Sequence, residues 1–242
     1  MSALSDQIIV ALDVPTREEA LAIVDELGAK VGAYKIGMQL YNACGPEILK
    51  AIKERNGRVF LDLKFHDIPN TVAAAARVAA NLDVFMFNVH ASGGSAMMKA
   101  AAAALQEEAA KQGKKRPLLI AVTVLTSMSE AELQDEIGVS RAMEEQVAAL
   151  AKLTRDSGLD GVVASPREIK IIREVCGKDF LIVTPGIRPA DATADDQKRI
   201  KTPRDAVADG ADYLVIGRPI TKAANRSAAV EAIVADMELA IK

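Results

Sequence analysis

The chain has 242 residues, half of them hydrophobic, with only 3% aromatic and no tryptophan, a size and diet that suit one barrel domain better than two. A formal charge of −3, with no Lys/Arg run of the kind that reads membrane surfaces or nucleic acid, argues against such a partner, because phosphate backbones call for a basic face. Cys44 and Cys176 stand far apart with no histidine beside either, which is neither zinc spacing nor a disulfide framework.

The start, Met1 to Asp6, has no basic segment followed by an apolar one, and the longest apolar runs are of strand length. Both features predict a cytosolic protein with no membrane span.

Short apolar runs alternate with helical stretches throughout. Strands are expected at Gln7–Val14, Ala33–Met38, Arg58–Phe65, Val84–His90, Leu118–Leu125, Gly161–Ser165, Phe180–Pro185 and Tyr213–Gly217. Runs apolar on both faces and separated by helices are the mark of parallel strands buried on both sides. Their regular period, with a helix after the last strand, favours a closed (β/α)₈ TIM barrel over an open doubly wound sheet, in a single domain over residues 1–242.

Helix starts are marked by their own chemistry. Thr16–Glu19 and Ser129–Glu132 read as capping boxes. Ser165-Pro166 and Thr202-Pro203 each place proline at a first helical position. Alanine fills Val72–Ala80 and Ala100–Ala104, where it costs no side-chain entropy in a helix. The last helix should pack Val230, Ile233, Val234, Met237 and Ile241 on the barrel. Two polar loops, Thr126–Ile137 and Ile187–Thr202, follow the fifth and seventh strands, on the face where barrels carry their active sites.

Charges occur where buried strands should be apolar. Asp13 ends the first strand, Lys35 lies in the second, Asp62 and Lys64 lie in the third, and Asp67 follows in the loop. Strand alternation gives Asp62 and Lys64 one face, so the charges converge at the barrel mouth if that face is the interior. A salt-bridge network without chemistry is the bland alternative. It is weakened because buried ion pairs stabilise poorly relative to apolar packing.

Thr184-Pro185-Gly186-Ile187-Arg188 and Val215-Ile216-Gly217-Arg218-Pro219 end the seventh and eighth strands, the usual phosphate-binding loops of a barrel. Glycine admits an anion to the backbone, and arginine can grip phosphate oxygens in bidentate fashion. His90 could face the pocket or be structural, His66 should point away from Lys64, and Met38 and Tyr41 read as packing. No metal-ligand spacing and no nucleophile elbow are present.

The string Asp62-Leu63-Lys64-Phe65-His66-Asp67-Ile68-Pro69-Asn70-Thr71 resembles the signature of the orotidine 5′-monophosphate decarboxylase family. Val10–Asp13, Lys35–Gly37, Thr123–Ser127, Thr184–Arg188 and Val215–Arg218 resemble that family in the same order.

The resemblance implies a decarboxylase of orotidine 5′-monophosphate, without metal or organic cofactor, acting as a homodimer. By the same resemblance, Lys35, Asp62, Lys64 and Asp67 form an alternating charge array. Lys64 is the proton donor and Asp62 the group that repels the substrate carboxylate. Asp67, Ile68 and Thr71 reach into the neighbouring subunit's site. Asp13 and Lys35 meet the ribose, joined by Thr71 of the neighbour, while Thr126 and Ser127 lie against the pyrimidine. Pro185 lines the substrate site, and Arg188, Gln197, Gly217 and Arg218 hold the phosphate. A metal-dependent synthase acting on a sugar phosphate and a non-catalytic nucleotide-binding barrel are the rival readings. They predict loss of activity with chelator and binding without turnover, respectively.

Overall fold

The computed structural model describes residues 4–189 and 201–241. Eight parallel strands close in sequence order: β1 Ile8–Ala11, β2 Ala33–Gly37, β3 Val59–Phe65, β4 Met86–His90, β5 Leu118–Val122, β6 Gly161–Val163, β7 Leu181–Thr184 and β8 Tyr213–Ile216. Pairing of β8 with β1, from Ile8↔Leu214 to Val10↔Ile216, completes the ring and leaves no open sheet edge.

The helices are α1 Arg17–Leu27, α2 Met38–Cys44, α3 Glu47–Lys53, α4 Pro69–Asn81, α5 Gly94–Gln112, α6 Met143–Asp156, α7 Ile169–Cys176, α8 Pro203–Ala208, α9 Arg218–Thr221 and α10 Arg226–Glu238. No helix among the described residues is long and apolar enough to cross a membrane.

Side-chain alternation divides the apolar residues into two layers. Ile8, Val10, Leu12, Tyr34, Ile36 and Leu61 point outward and pack under the helix ring. Ile9, Ala11, Ala33, Phe60, Met86, Ile120, Val183 and Val215 fill the barrel interior. Beneath that plug, the rings of Phe85 and Tyr213 meet edge to face at 5.9 Å, and the Arg58 guanidinium lies 4.6 Å from the Phe85 centroid. The N-terminal end of the barrel is therefore packed, and chemistry is left to the C-terminal end.

Each expected strand is present, but most end early. The first stops at Ala11 instead of Val14, the fifth at Val122 instead of Leu125, and the sixth at Val163 instead of Ser165. At these ends the chain leaves the hydrogen-bond ladder to line the mouth of the barrel. Single bonds such as Leu12 N–H to the Lys35 carbonyl, at 3.0 Å, mark where the ladder gives out.

The caps largely follow the sequence. Thr16 Oγ1 accepts from Glu19 N–H and Thr202 Oγ1 from Asp205 N–H, each at 3.2 Å. Ser129 and Glu132 form their reciprocal pair, but it opens a short π-helical turn, Glu132–Glu136, within the polar loop. Proline does not start a helix at Pro166. The Glu168 carboxylate accepts from Ser165 N–H at 2.8 Å, which holds the chain in a turn, and α7 begins only at Ile169.

Two packing expectations fail. Ile241 lies beyond the end of α10 and is 67% exposed, while Val230, Ile233 and Met237 are buried as expected. Met38 is 55% exposed because α2 turns outward after Gly37; Tyr41 does pack on the core.

Candidate active site

The charged residues of the mouth continue the interior rows above the apolar plug. Asp13 follows Ala11 just past the end of β1, Lys35 follows Ala33 on β2, and Asp62 and then Lys64 follow Phe60 on β3. This parity carries all four toward one cavity of 840 Å³, which Asp13, Lys35, Asp62, Lys64, Thr126, Pro185, Gly186, Arg188, Gly217 and Arg218 help to line. The volume is that of a small-molecule site.

An ion chain crosses the cavity floor. Lys35 Nζ lies 3.0 Å from Asp13 Oδ1 and 3.2 Å from Asp62 Oδ2. Asp62 Oδ1 in turn lies 2.8 Å from Lys64 Nζ. Burial alone would push the Asp62 carboxyl up, but the ammonium groups of Lys35 and Lys64 outweigh it and hold it below the usual carboxylate range. Burial would likewise lower Lys35, yet Asp62 and Asp13 together raise it. Both groups are charged at neutral pH. At Gly37 a side chain would press its Cβ to 3.2 Å from Lys35 Nζ and 3.4 Å from Asp13 Oδ1, so the small residue leaves room for that pair.

The backbone at the centre of this chain is unusual. Lys64 has φ of 53°, in the left-handed region, and no glycine supplies it. Register between β3 and β4 shifts between Leu61 and Phe65. Asn88, fully buried on β4, bridges the irregularity. Its Oδ1 accepts from Lys64 N–H at 2.8 Å and its Nδ2 donates to Asp62 Oδ1 at 2.7 Å. Sequence reasoning passed over Asn88. The available signal was its parity, for it stands above the plug residue Met86 as Asp62 stands above Phe60.

Two arginines from the ends of β7 and β8 line the same cavity. Arg188 is buried, and Nη1 donates to the Ile187 carbonyl at 2.9 Å; Arg218 is half-buried at the start of α9. Gly186 has φ of 78°, a conformation that turns the chain from β7 into the cavity wall. The long loop expected here is clipped at its base. Ile187 and Lys201 form a parallel bridge, with Arg188 N–H donating to the Lys201 carbonyl at 3.0 Å. The Lys201 ammonium pairs with Asp209, whose other oxygen lies 3.1 Å from Lys170 Nζ. Gln197 lies outside the described residues.

A family model described as "Orotidine 5'-phosphate decarboxylase / HUMPS family" matches residues 6–233. The chain belongs to this family. A relative from Moorella thermoacetica named orotidine 5′-phosphate decarboxylase is 56% identical, covering 97% of this chain and 93% of its own. One of the same name from Syntrophomonas wolfei is 54% identical, over 96% and 98%. The crystal structure of orotidine 5′-phosphate decarboxylase from Lactobacillus acidophilus has a TM-score of 0.84 at 42% identity, covering 95% of this chain and 98% of that one. It shares the barrel.

Not every residue implied by the family resemblance meets at this cavity. Asp67, Ile68 and Thr71 are exposed beside it, at the start of α4, and do not line it; Asp67 Oδ1 accepts from Ile68 N–H at 2.6 Å. Ser127 is also exposed and stands outside the lining, although its neighbour Thr126 belongs to it.

His66 and His90 face each other with ring centroids 5.6 Å apart, and neither lines the cavity. Burial, then the charges of His66 and Lys64, push His90 down. Among the described residues no three His, Cys, Asp or Glu side chains gather as a metal site would need. Cys44 and Cys176 are free thiols.

Proposed function

We propose that this chain decarboxylates orotidine 5′-monophosphate to uridine 5′-monophosphate and carbon dioxide in pyrimidine synthesis, as a cytosolic homodimer without metal or organic cofactor. The observation that carries the reading is the Lys35–Asp62–Lys64 ion chain in a cavity that Arg188 and Arg218 also line. Family membership and the names of the relatives supply its chemical class.

The roles are those the family resemblance implies. Arg188, Arg218 and the backbone at Gly217 hold the 5′-phosphate, joined by Gln197. Asp13 and Lys35 meet the ribose hydroxyls, and Thr126 and Ser127 meet the pyrimidine, with Pro185 beneath. The substrate carboxylate then lies beside Asp62. Two like charges about 4 Å apart repel by roughly 4 kcal/mol at an effective dielectric of about 20. As the carbon–carbon bond breaks, its electron pair stays on the pyrimidine carbon, neutral carbon dioxide leaves, and the repulsion is relieved. The Lys64 ammonium stabilises the carbanion and gives it a proton.

Repulsion of that size falls short of the barrier reductions of about 8–23 kcal/mol that enzymes reach. Binding of the unreactive phosphate and ribose must hold the strained complex together, which gives two arginines a reason to grip a group that never reacts. Asp67, Ile68 and Thr71, exposed beside their own cavity, would complete the site of the second subunit.

The test is incubation of chelated protein with orotidine 5′-monophosphate, with both products counted. One carbon dioxide and one uridine 5′-monophosphate per substrate consumed is the expected outcome. Binding without turnover would favour a nucleotide-binding barrel, and recovery only with added metal would favour a metal-dependent synthase.

A further inference from the structure

We propose that Asn88 is the positioning residue of the reaction centre: through one amide it sets both the carboxylate of Asp62 and the backbone from which Lys64 reaches the substrate. The proposal rests on the decarboxylase reading for the meaning of Lys64, but its geometry stands by itself. A buried polar side chain must find partners, and Asn88, with none of its surface exposed, finds both of them on β3.

The orientation of the amide is dictated by those partners. Lys64 N–H can only donate, so it faces Oδ1; Asp62 is an ionised acceptor, so it faces Nδ2. Asn88 thus fills the place of a ladder contact that β3 and β4 lose where their register shifts.

Two independent features need such a brace. Lys64 holds φ of 53°, which a non-glycine residue keeps only where its surroundings over-determine it. Asp62 Oδ1 is also the oxygen that takes Lys64 Nζ at 2.8 Å, so the donated bond from Asn88 fixes the lobe of the carboxylate that the lysine approaches. Asn88 is not among the residues lining the cavity and touches no substrate; it acts through its neighbours. The titratable groups around it are Asp62 and Lys64 on β3, Lys35 beyond Asp62, His90 at the end of β4 and His66 just after β3; on β5 its register partner is the apolar Ile120.

Two variants test the proposal, each first shown to be folded by thermal melting and by binding of uridine 5′-monophosphate. Asn88→Ala removes both bonds. Since a misplacement of about 1 Å can cost about 100-fold, kcat should fall by that order while the affinity for uridine 5′-monophosphate stays within about threefold. Asn88→Asp is isosteric and keeps the acceptor for Lys64 N–H, but sets a second carboxylate against Asp62, and two such groups must share a proton. Its kcat should be low at neutral pH and recover as pH falls, because the shared proton restores a donor toward Asp62; the parent and Asn88→Ala should show no such recovery.

A crystal structure of Asn88→Ala should show Lys64 out of the left-handed region or separated from Asp62. A kcat for Asn88→Ala within about threefold of the parent, a matching loss of nucleotide affinity, or a Lys64 unmoved in that crystal would overturn the proposal. Should the parent protein consume no orotidine 5′-monophosphate, the decarboxylase reading alone fails, and the crystal structure still decides the role of Asn88.

Discussion

The Lys64 ammonium lies 2.8 Å from the Asp62 carboxylate, and Lys64 reaches it from a left-handed backbone with φ of 53°. Such a conformation costs about 1–3 kcal/mol at a non-glycine residue and marks places where function competes with stability. Here it belongs to one of the two lysines that meet a buried carboxylate, at the mouth of a barrel otherwise packed with aliphatic side chains.

The ion chain should leave a signature in stability against pH. Asp62 is depressed in the fold, so its contribution is present above the unfolded carboxyl value of about 3.9 and is lost as pH falls through the lower folded value. Lys35 is raised, so its contribution is whole below about 10.4 and is lost as pH rises through the higher folded value. Lys35→Met removes one of the cations beside Asp62, and burial then pushes that carboxyl up. Melting curves across pH should show the acid limb of the variant starting at higher pH than in the parent. The loss at neutral pH should be about 1–3 kcal/mol, less than the roughly 3–5 kcal/mol of a charge left with no partner, because Lys64 and Asn88 remain. Superimposable acid limbs would contradict the coupling.

Arg218→Ala should separate the phosphate from the rest of the ligand. A hydrogen bond to a charged group contributes about 1.5–3 kcal/mol, so affinity for uridine 5′-monophosphate should fall roughly 10- to 150-fold. Uridine, which lacks the phosphate, should bind the variant as it binds the parent. Calorimetry with both ligands reads the difference, and equal losses would place the phosphate elsewhere.

Asp209 should influence the same subsite from a distance. It pairs with Lys201, whose carbonyl accepts from Arg188 N–H. Asp209→Asn weakens that clip without touching the cavity. A partly exposed pair of this kind contributes about 0.2–1 kcal/mol, so KM for the phosphorylated substrate should rise by up to about fivefold with kcat unchanged. A drop in kcat at constant KM would show that the clip serves something other than Arg188.

The proposed homodimer, with Asp67 completing the second subunit's site, predicts complementation between subunits. Lys64→Ala and Asp67→Ala proteins should each be nearly inactive. After reversible dissociation and mixing, about half the dimers are mixed and each holds one intact site of two, so roughly a quarter of the parent activity should return. Verified exchange of subunits with no regained activity would assign Asp67 to its own chain's site.

Much of this architecture was legible because buried parallel strands announce themselves as short runs apolar on both faces, and because Asp13, Lys35, Asp62 and Lys64 break those runs at one end. Alternation along β3 was enough to place Asp62 beside Lys64. What escaped is non-local. No glycine marks the left-handed turn at Lys64, since the conformation is imposed by Asn88 on the next strand. Asn88 itself is a neutral amide that shares its strand with Met86, Phe87, Val89 and His90 and bears no charge to draw notice. The clip between Ile187 and Lys201 joins the two ends of a polar loop whose sequence shows no pairing pattern. Met38 looked like core because it adjoins a strand, yet the turn at Gly37 carries it outward.

The most direct measurement follows the absorbance of orotidine 5′-monophosphate with the parent protein and with Lys64→Ala, alongside uridine 5′-monophosphate affinity for each. A general acid contributes about 10²–10⁴-fold, so the parent should consume substrate and the variant should be slower by at least that factor, with its nucleotide affinity largely kept. Turnover by Lys64→Ala at the parent's rate would contradict the assignment of the reaction to this ion chain.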